Sequence, residues 1–144
     1  MLEWIKVNGP VSLTAEFMNT FVNTIGTENV SFYYFQFGCS WFVTGENRKY
    51  NKNNGNLGKL IPNKNFMFRK GGGTGAVELA ARYTRSNLSE DVIDGGKFGR
   101  FTGALSWYAN AHWRLSVNYG AGTLKKDQLQ GKADFWQFRM QFEL

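Results

Sequence analysis

The chain has 144 residues, of which 17% are aromatic and 19% charged, and its 17 Lys and Arg against 11 Asp and Glu give a formal net charge of +6 at pH 7. This aromatic content excludes an intrinsically disordered chain, and a lone cysteine excludes a disulfide-stabilised scaffold. No apolar run approaches the about 18 residues of a transmembrane helix, whereas the alternating strands of a membrane β-barrel fit this composition.

Apolar and polar residues alternate with a period of two along most of the chain, which predicts strands rather than helices. Seven such runs follow in chain order, at residues 2–8, 11–18, 30–44, 77–84, 101–108, 113–119 and 134–144. Tight turns are predicted at 8–10 and 110–112, and longer polar loops at 23–29, 87–97 and 122–132. Short turns at one end and long loops at the other are typical of outer-membrane barrels.

The last run shows the alternation most clearly, because side chains of a strand point alternately to its two faces. Its faces are Trp136, Phe138, Met140, Phe142 and Leu144 on the apolar side and Gln137, Arg139, Gln141 and Glu143 on the polar side. We therefore predict a single all-β unit over residues 1–144, an antiparallel up-and-down transmembrane β-barrel segment of about seven strands. The alternative that the pattern leaves open is a soluble β-sandwich with an aromatic core.

If the apolar faces contact lipid, the charged residues of the opposite faces line the lumen. These pore-lining candidates are Arg82, Arg114, Arg139, Glu16, Glu78 and Glu143. Lumenal arginines hold anions through charge-assisted hydrogen bonds, and permeation requires such contacts to be weak and multiple. The alternative is that the charges pair with one another, Arg82 with Glu78 for example, and only support the wall.

Residues 45–74 combine seven basic residues with a single acidic one, Glu46. The segment is predicted at the periplasmic end, either with an extra hairpin around 57–61 and 66–68 or folded into the pore mouth; the alternative is a solvated basic loop. The charges of the six pore-lining candidates cancel, three positive against three negative. Any anion preference of the chain is therefore predicted to arise from residues 45–74. The anion-attracting candidates are Arg48, Lys49, Lys52, Lys59 and Lys64, and neutralising them is expected to lower selectivity more than neutralising Arg139 alone.

The residues offer no arrangement for catalysis, a metal or a cofactor, since the one histidine, His112, falls in a predicted tight turn and Cys39 lies between aromatic residues. A second functional hypothesis is a soluble all-β module for single-stranded nucleic acid, with a basic loop and exposed aromatic faces. Against it, the basic residues concentrate in one loop instead of interleaving with aromatic residues on a strand.

Several short motifs occur in a fixed order along the chain. They are Val7-Asn8-Gly9-Pro10, Ala15-Glu16-Phe17, Thr44-Gly45-Glu46-Asn47-Arg48 with Tyr50, Gly75-Ala76-Val77-Glu78-Leu79-Ala80-Ala81-Arg82-Tyr83, Leu105-Ser106-Trp107-Tyr108-Ala109-Asn110, and Arg114 with Asn118-Tyr119. This succession, which covers nearly the whole chain, resembles the C-terminal part of the phosphate-selective porin O/P family.

The resemblance implies a porin in the outer membrane of a Gram-negative bacterium, a passive channel preferring anions such as phosphate and typically a homotrimer of sixteen-stranded barrels. The chain would then be the C-terminal portion of such a barrel, either a fragment or completed by other copies. Its expected partners are outer-membrane lipid and small anions, with no nucleic acid and no cofactor.

Two features limit what the resemblance implies. The chain ends in Leu144 where an aromatic residue is usual, with Phe142 two positions earlier. The phosphate-selecting basic residues of the family lie largely in parts that this chain does not match. The resemblance therefore implies the porin class and carries no phosphate site onto particular residues.

Overall fold

The computed structural model describes residues 1–23, 29–51, 55–68, 72–90 and 93–144. The strands in chain order are β1 (Leu2–Asn8), β2 (Val11–Val22), β3 (Val30–Phe42), β4 (Tyr50–Asn51), β5 (Asn56–Leu57), β6 (Ala76–Glu90), β7 (Ile93–Tyr108), β8 (Trp113–Lys126) and β9 (Leu129–Phe142). Strands β4 and β5 form a separate hairpin, and the other seven form one sheet in chain order. The predicted all-β, antiparallel up-and-down arrangement is confirmed. Within the described residues, no helix is long and apolar enough to cross a membrane.

The strands are longer than the sequence pattern predicts, and two predicted loops are wrong. Residues 87–97 and 122–132 mostly continue the hairpins β6–β7 and β8–β9, and β8 joins β9 through Asp127 and Gln128 alone. Backbone pairing extends as far as Lys126 with Leu129. Hydrogen bonds of the ladder need no apolar side chains, so polar residues continue these strands beyond the apolar band. The predicted loop 23–29 includes residues 24–28, which lie outside the described residues.

The register aligns the apolar residues of five strands into one row. Trp41 of β3 pairs with Leu79 of β6, which pairs with Leu105 of β7, and the row continues through Val117 of β8 to Phe138 of β9. Directly paired residues point to the same side of a sheet, so these five side chains share one face. The predicted apolar wall of the last strand is thus part of an apolar face that crosses the sheet.

This apolar face is exposed. Phe138 retains 76% of its accessible surface and Trp136 64%. Other large apolar residues exposed on the same strand faces are Phe17, Trp41, Leu79, Phe101, Leu105, Leu115, Met140 and Phe142. A soluble sandwich would bury such a face against a second sheet, whereas the described strands form a single large sheet with no such cover. An apolar patch of this extent on one face suits contact with lipid.

The β3–β6 connection, residues 43–75, packs against one end of the other face. Its Leu60 joins Phe42, Ala76 and Tyr108 in the buried cluster of the described chain. The backbone N–H of Phe66 donates to the carbonyl of Ala109 at 2.7 Å. The connection is therefore anchored to the ends of β3, β6 and β7 and is not a free solvated loop over its described residues.

The hairpin predicted within this connection is wrong in position. The structure places it at β4 and β5, where Tyr50 pairs with Leu57. The ranges 57–61 and 66–68, predicted to pair, instead each contribute a residue that packs against the sheet. Leu60 is buried in the cluster, and the ring of Phe66 packs edge-on against Trp107 with centroids 4.9 Å apart. Pro62, which has no backbone N–H, lies between them.

Candidate functional site

The second face of the sheet is polar, and its side chains follow from the same register. Glu78 of β6 pairs with Ser106 of β7, Ser106 with Ser116 of β8, and Ser116 with Arg139 of β9. These four residues therefore form a polar row beside the apolar row, displaced by one residue along each strand. Glu78, Ser106 and Ser116 are buried, which shows that this face curves inward and is covered in part.

Side chains from β2 to β9 line one cavity of about 550 Å³ on this face. Its lining includes Ser12 of β2 and Arg139 of β9, so the sheet is concave on the polar side. The charged lining residues are Arg48, Arg82, Arg100, Arg114 and Arg139 with Glu78 as the acidic member. A low-dielectric wall around a cavity with five guanidinium groups and one carboxylate concentrates a positive potential.

The structure brings together four of the six predicted pore-lining residues: Arg82, Arg114, Arg139 and Glu78 all line this cavity. The other two do not line it. Glu16 lies on the same face of β2 as the lining residue Thr14 but further along the strand, and pairs with Gln36. Glu143 follows β9 and lines a second cavity of about 270 Å³. Of the six predicted residues, this cavity therefore holds three arginines and a single carboxylate, that of Glu78.

Two arginines that line the cavity are not among the pore-lining residues that the sequence predicts. Arg100 precedes the predicted start of its strand at Phe101, although it shares a face with Thr102, and that spacing would have identified it. Arg48 belongs to the basic segment yet reaches the strands. Both are held by aromatic rings: the guanidinium of Arg100 lies 5.9 Å from the ring of Phe98, and that of Arg48 lies 5.5 Å from the ring of Phe42.

Of the other basic residues predicted to attract anions, those that the structure describes do not line this cavity. Lys59 lines the second cavity and lies 3.8 Å from a carboxylate oxygen of Glu143. The exposed members are Lys49, Lys59 and Lys64. Lys52 is outside the described residues. Among the described anion-attracting candidates of the basic segment, Arg48 is therefore the one that lines the cavity.

Glu78 of β6 contacts side chains of β7, of β8 and of the β3–β6 connection on the polar face. Its Oε2 atom is 3.0 Å from Nη2 of Arg48 and 4.0 Å from Nη2 of Arg114, and it accepts a hydrogen bond of 2.7 Å from the hydroxyl of Tyr108. Arg48 also donates to that hydroxyl. The predicted pairing of Glu78 with Arg82 is wrong, since residues four apart in a strand are separated by about 13 Å along it.

An exposed apolar outer face, antiparallel strands in chain order and an arginine-lined concave inner face together define a wall of a porin-type membrane β-barrel. Residues 1–144 match the family described as phosphate-selective porin O and P, and the chain belongs to this family. The family is one of porins.

The chain is also similar to an uncharacterized protein of Caulobacter vibrioides. The two are 35% identical over 80 residues, which is 56% of this chain and 15% of the relative. The match therefore spans a small part of that relative.

Proposed function

We propose that the chain forms part of the wall of an anion-selective diffusion channel in the outer membrane of a Gram-negative bacterium, where it passes small anions such as phosphate. The observation that carries the proposal is the cavity lining of five arginines and one glutamate. Guanidinium groups form strong, often bidentate hydrogen bonds with oxyanions and remain charged at any physiological pH. The opposite, apolar face contacts lipid, and in the complete channel the wall belongs to one barrel of a homotrimer.

Several arginines spaced along one wall suit transport better than a single deep site does. Arg139 of β9 shares a row with Glu78, whereas Arg114 pairs with Gln141 two residues further along that strand. An anion moving along the wall would exchange one guanidinium partner for the next, and conduction requires that each contact be weak enough to release it. Of the basic segment, we assign Arg48 to this wall and the three exposed lysines to its mouth.

Reversal potentials across a salt gradient in planar bilayers test the proposal on the assembled channel. The variant Arg82→Gln/Arg100→Gln/Arg139→Gln removes three cavity charges and leaves the Glu78 cluster intact. The matched variant Lys49→Gln/Lys59→Gln/Lys64→Gln removes the same charge from the exposed lysines. We expect the arginine variant to lose most of the anion preference at all salt concentrations.

The lysine variant is expected to lose anion preference mainly at low salt, because exposed charges are screened beyond a Debye length of about 8 Å at physiological ionic strength. A wild-type channel without anion preference contradicts the proposal. An arginine variant that keeps the wild-type ratio of anion to cation permeability contradicts the assignment to the cavity.

A further inference from the structure

Glu78 is the acidic residue among those lining the main cavity, and it is more buried than the two arginines that it contacts. The side chain is 6% exposed, whereas Arg48 is 18% and Arg114 is 36% exposed. Both guanidinium groups also lie over the same ring, that of Tyr108, at 5.9 Å and 4.8 Å from its centroid. The carboxylate, the phenol and the two arginines therefore form one fixed unit on the polar face.

This unit lies where the two cavities adjoin. Arg48, Arg114 and Leu57 line both the cavity of about 550 Å³ and that of about 270 Å³. Leu57 and Arg48 come from the β3–β6 connection, and Arg114 comes from β8. Both arginines therefore face the main cavity and the second cavity.

A carboxylate binds guanidinium groups in the same way as a permeating oxyanion does, through negatively charged oxygens facing N–H donors. While Glu78 accepts from Arg48 and stays near Arg114, the two arginines carry one uncompensated positive charge between them. Both arginine side chains remain partly exposed on the polar face. Their guanidinium groups are therefore within reach of an anion, with their attraction for it reduced by the carboxylate.

We propose that Glu78 is a specificity-determining residue that competes with permeating oxyanions for Arg48 and Arg114, and so limits how tightly these anions bind between the two cavities. The inference rests on the proposed function and deepens it. Its physical basis is that a wall of unopposed arginines would hold an oxyanion too long, whereas conduction requires release.

The test measures the concentration of inorganic phosphate that halves the chloride current through the assembled channel. Glu78→Gln keeps the size of the side chain and removes its charge. We expect the half-blocking concentration to fall about fivefold, as a unit charge at about 4 Å in a water-filled pore implies. Glu3→Gln makes the same change in β1, whose residues line neither cavity, and is expected to leave the half-blocking concentration unchanged.

Two further variants separate competition for the anion from anchoring of the β3–β6 connection. Arg48→Gln/Glu78→Gln restores the net charge of the cluster while removing the anchor, so its half-blocking concentration returns toward the wild-type value. Arg114→Gln leaves the shorter Arg48–Glu78 contact in place and lowers the cluster charge by one, so its half-blocking concentration rises about fivefold. An order that follows cluster charge supports the inference.

Two outcomes overturn it. If Glu78→Gln and the double variant change phosphate block equally, Glu78 acts as an anchor and not as a competitor. If Glu78→Gln folds poorly, Arg114→Gln still decides, since an unchanged half-blocking concentration in that variant overturns the role of cluster charge. An anion-selective wild type with either result leaves the proposed function standing, whereas a wild type without anion preference overturns both.

Discussion

Replacing Phe138 by arginine tests which face of the sheet contacts lipid. Phe138 is 76% exposed and central among the apolar residues of β9, and it pairs with Val117 in the apolar row. An arginine on the lipid face at the bilayer midplane costs about 2–4 kcal/mol. Withdrawing the phenyl ring from an apolar environment costs about 1.5–3 kcal/mol more. We therefore expect Phe138→Arg to destabilise the folded channel by about 5 kcal/mol.

The neighbouring variant Gln137→Arg is the matched control. Gln137 lines the arginine-rich cavity on the opposite face, and its side-chain amide lies 3.4 Å from that of Asn118. The same new charge then faces water, and we expect a loss below about 1 kcal/mol.

Urea unfolding in lipid vesicles, followed by tryptophan fluorescence, measures both changes in the free energy of unfolding. Equal losses in the two variants would refute the assignment of faces. A larger loss for Gln137→Arg would show the opposite orientation of the wall.

Two further changes test local features of the chain. Gly75 has a φ of +74°, and a Cβ there would lie 2.4 Å from the carbonyl oxygen of Tyr108. We expect Gly75→Ala to lower the free energy of unfolding by at least about 1–2 kcal/mol, measured by urea unfolding. Gly131→Ala, with open space around the new Cβ, should cost less than half as much, and equal losses would contradict this reasoning. Asp127, in the β8–β9 turn, shares a hydrogen bond with Asp94, and this bond together with the negative charge of Asp94 raises the pKa of the Asp127 carboxyl. The raised pKa means that the ionised carboxylate of Asp127 is less favourable in the folded state than in the unfolded chain. Asp127→Asn should therefore stabilise the protein at neutral pH, and this gain should be lost as the pH falls through the raised pKa. A stabilisation that does not change with pH would refute the argument.

The sequence predicts the sheet well because alternation is a local property. Whether a strand residue such as Phe138 or Arg139 faces one side or the other depends only on its parity once the strand exists. The apolar face and the polar face follow from this rule, and the hairpin through residues 109–112 follows from its short turn. Alternation does not predict the strand ends, because the outer residues of β6 to β9 are mostly polar on both faces and give no apolar face to detect.

The candidate site was harder to predict because its centre joins residues distant in the chain. Arg48 reaches Glu78 thirty residues later and Tyr108 sixty residues later. Charge counting placed Arg48 with the lysines of the basic segment, but no periodicity shows where an irregular connection packs. Leu60 and Phe66 anchor the connection, but the sequence pattern predicts them as strand residues because isolated apolar residues fit either role.

The way in which each arginine is held decides how much of its charge an anion meets. Arg100 lies about 6 Å from the rings of Phe98 and Phe135, and aromatic contacts orient a guanidinium group without cancelling its charge. Arg48 has aromatic contacts too, but it also forms an ion pair with the buried carboxylate of Glu78. Orientation by rings therefore gives a fixed cation with full attraction for anions, whereas orientation by a carboxylate gives a fixed cation with reduced attraction. A wall that combines both kinds can attract anions along the main cavity and release them where the two cavities adjoin.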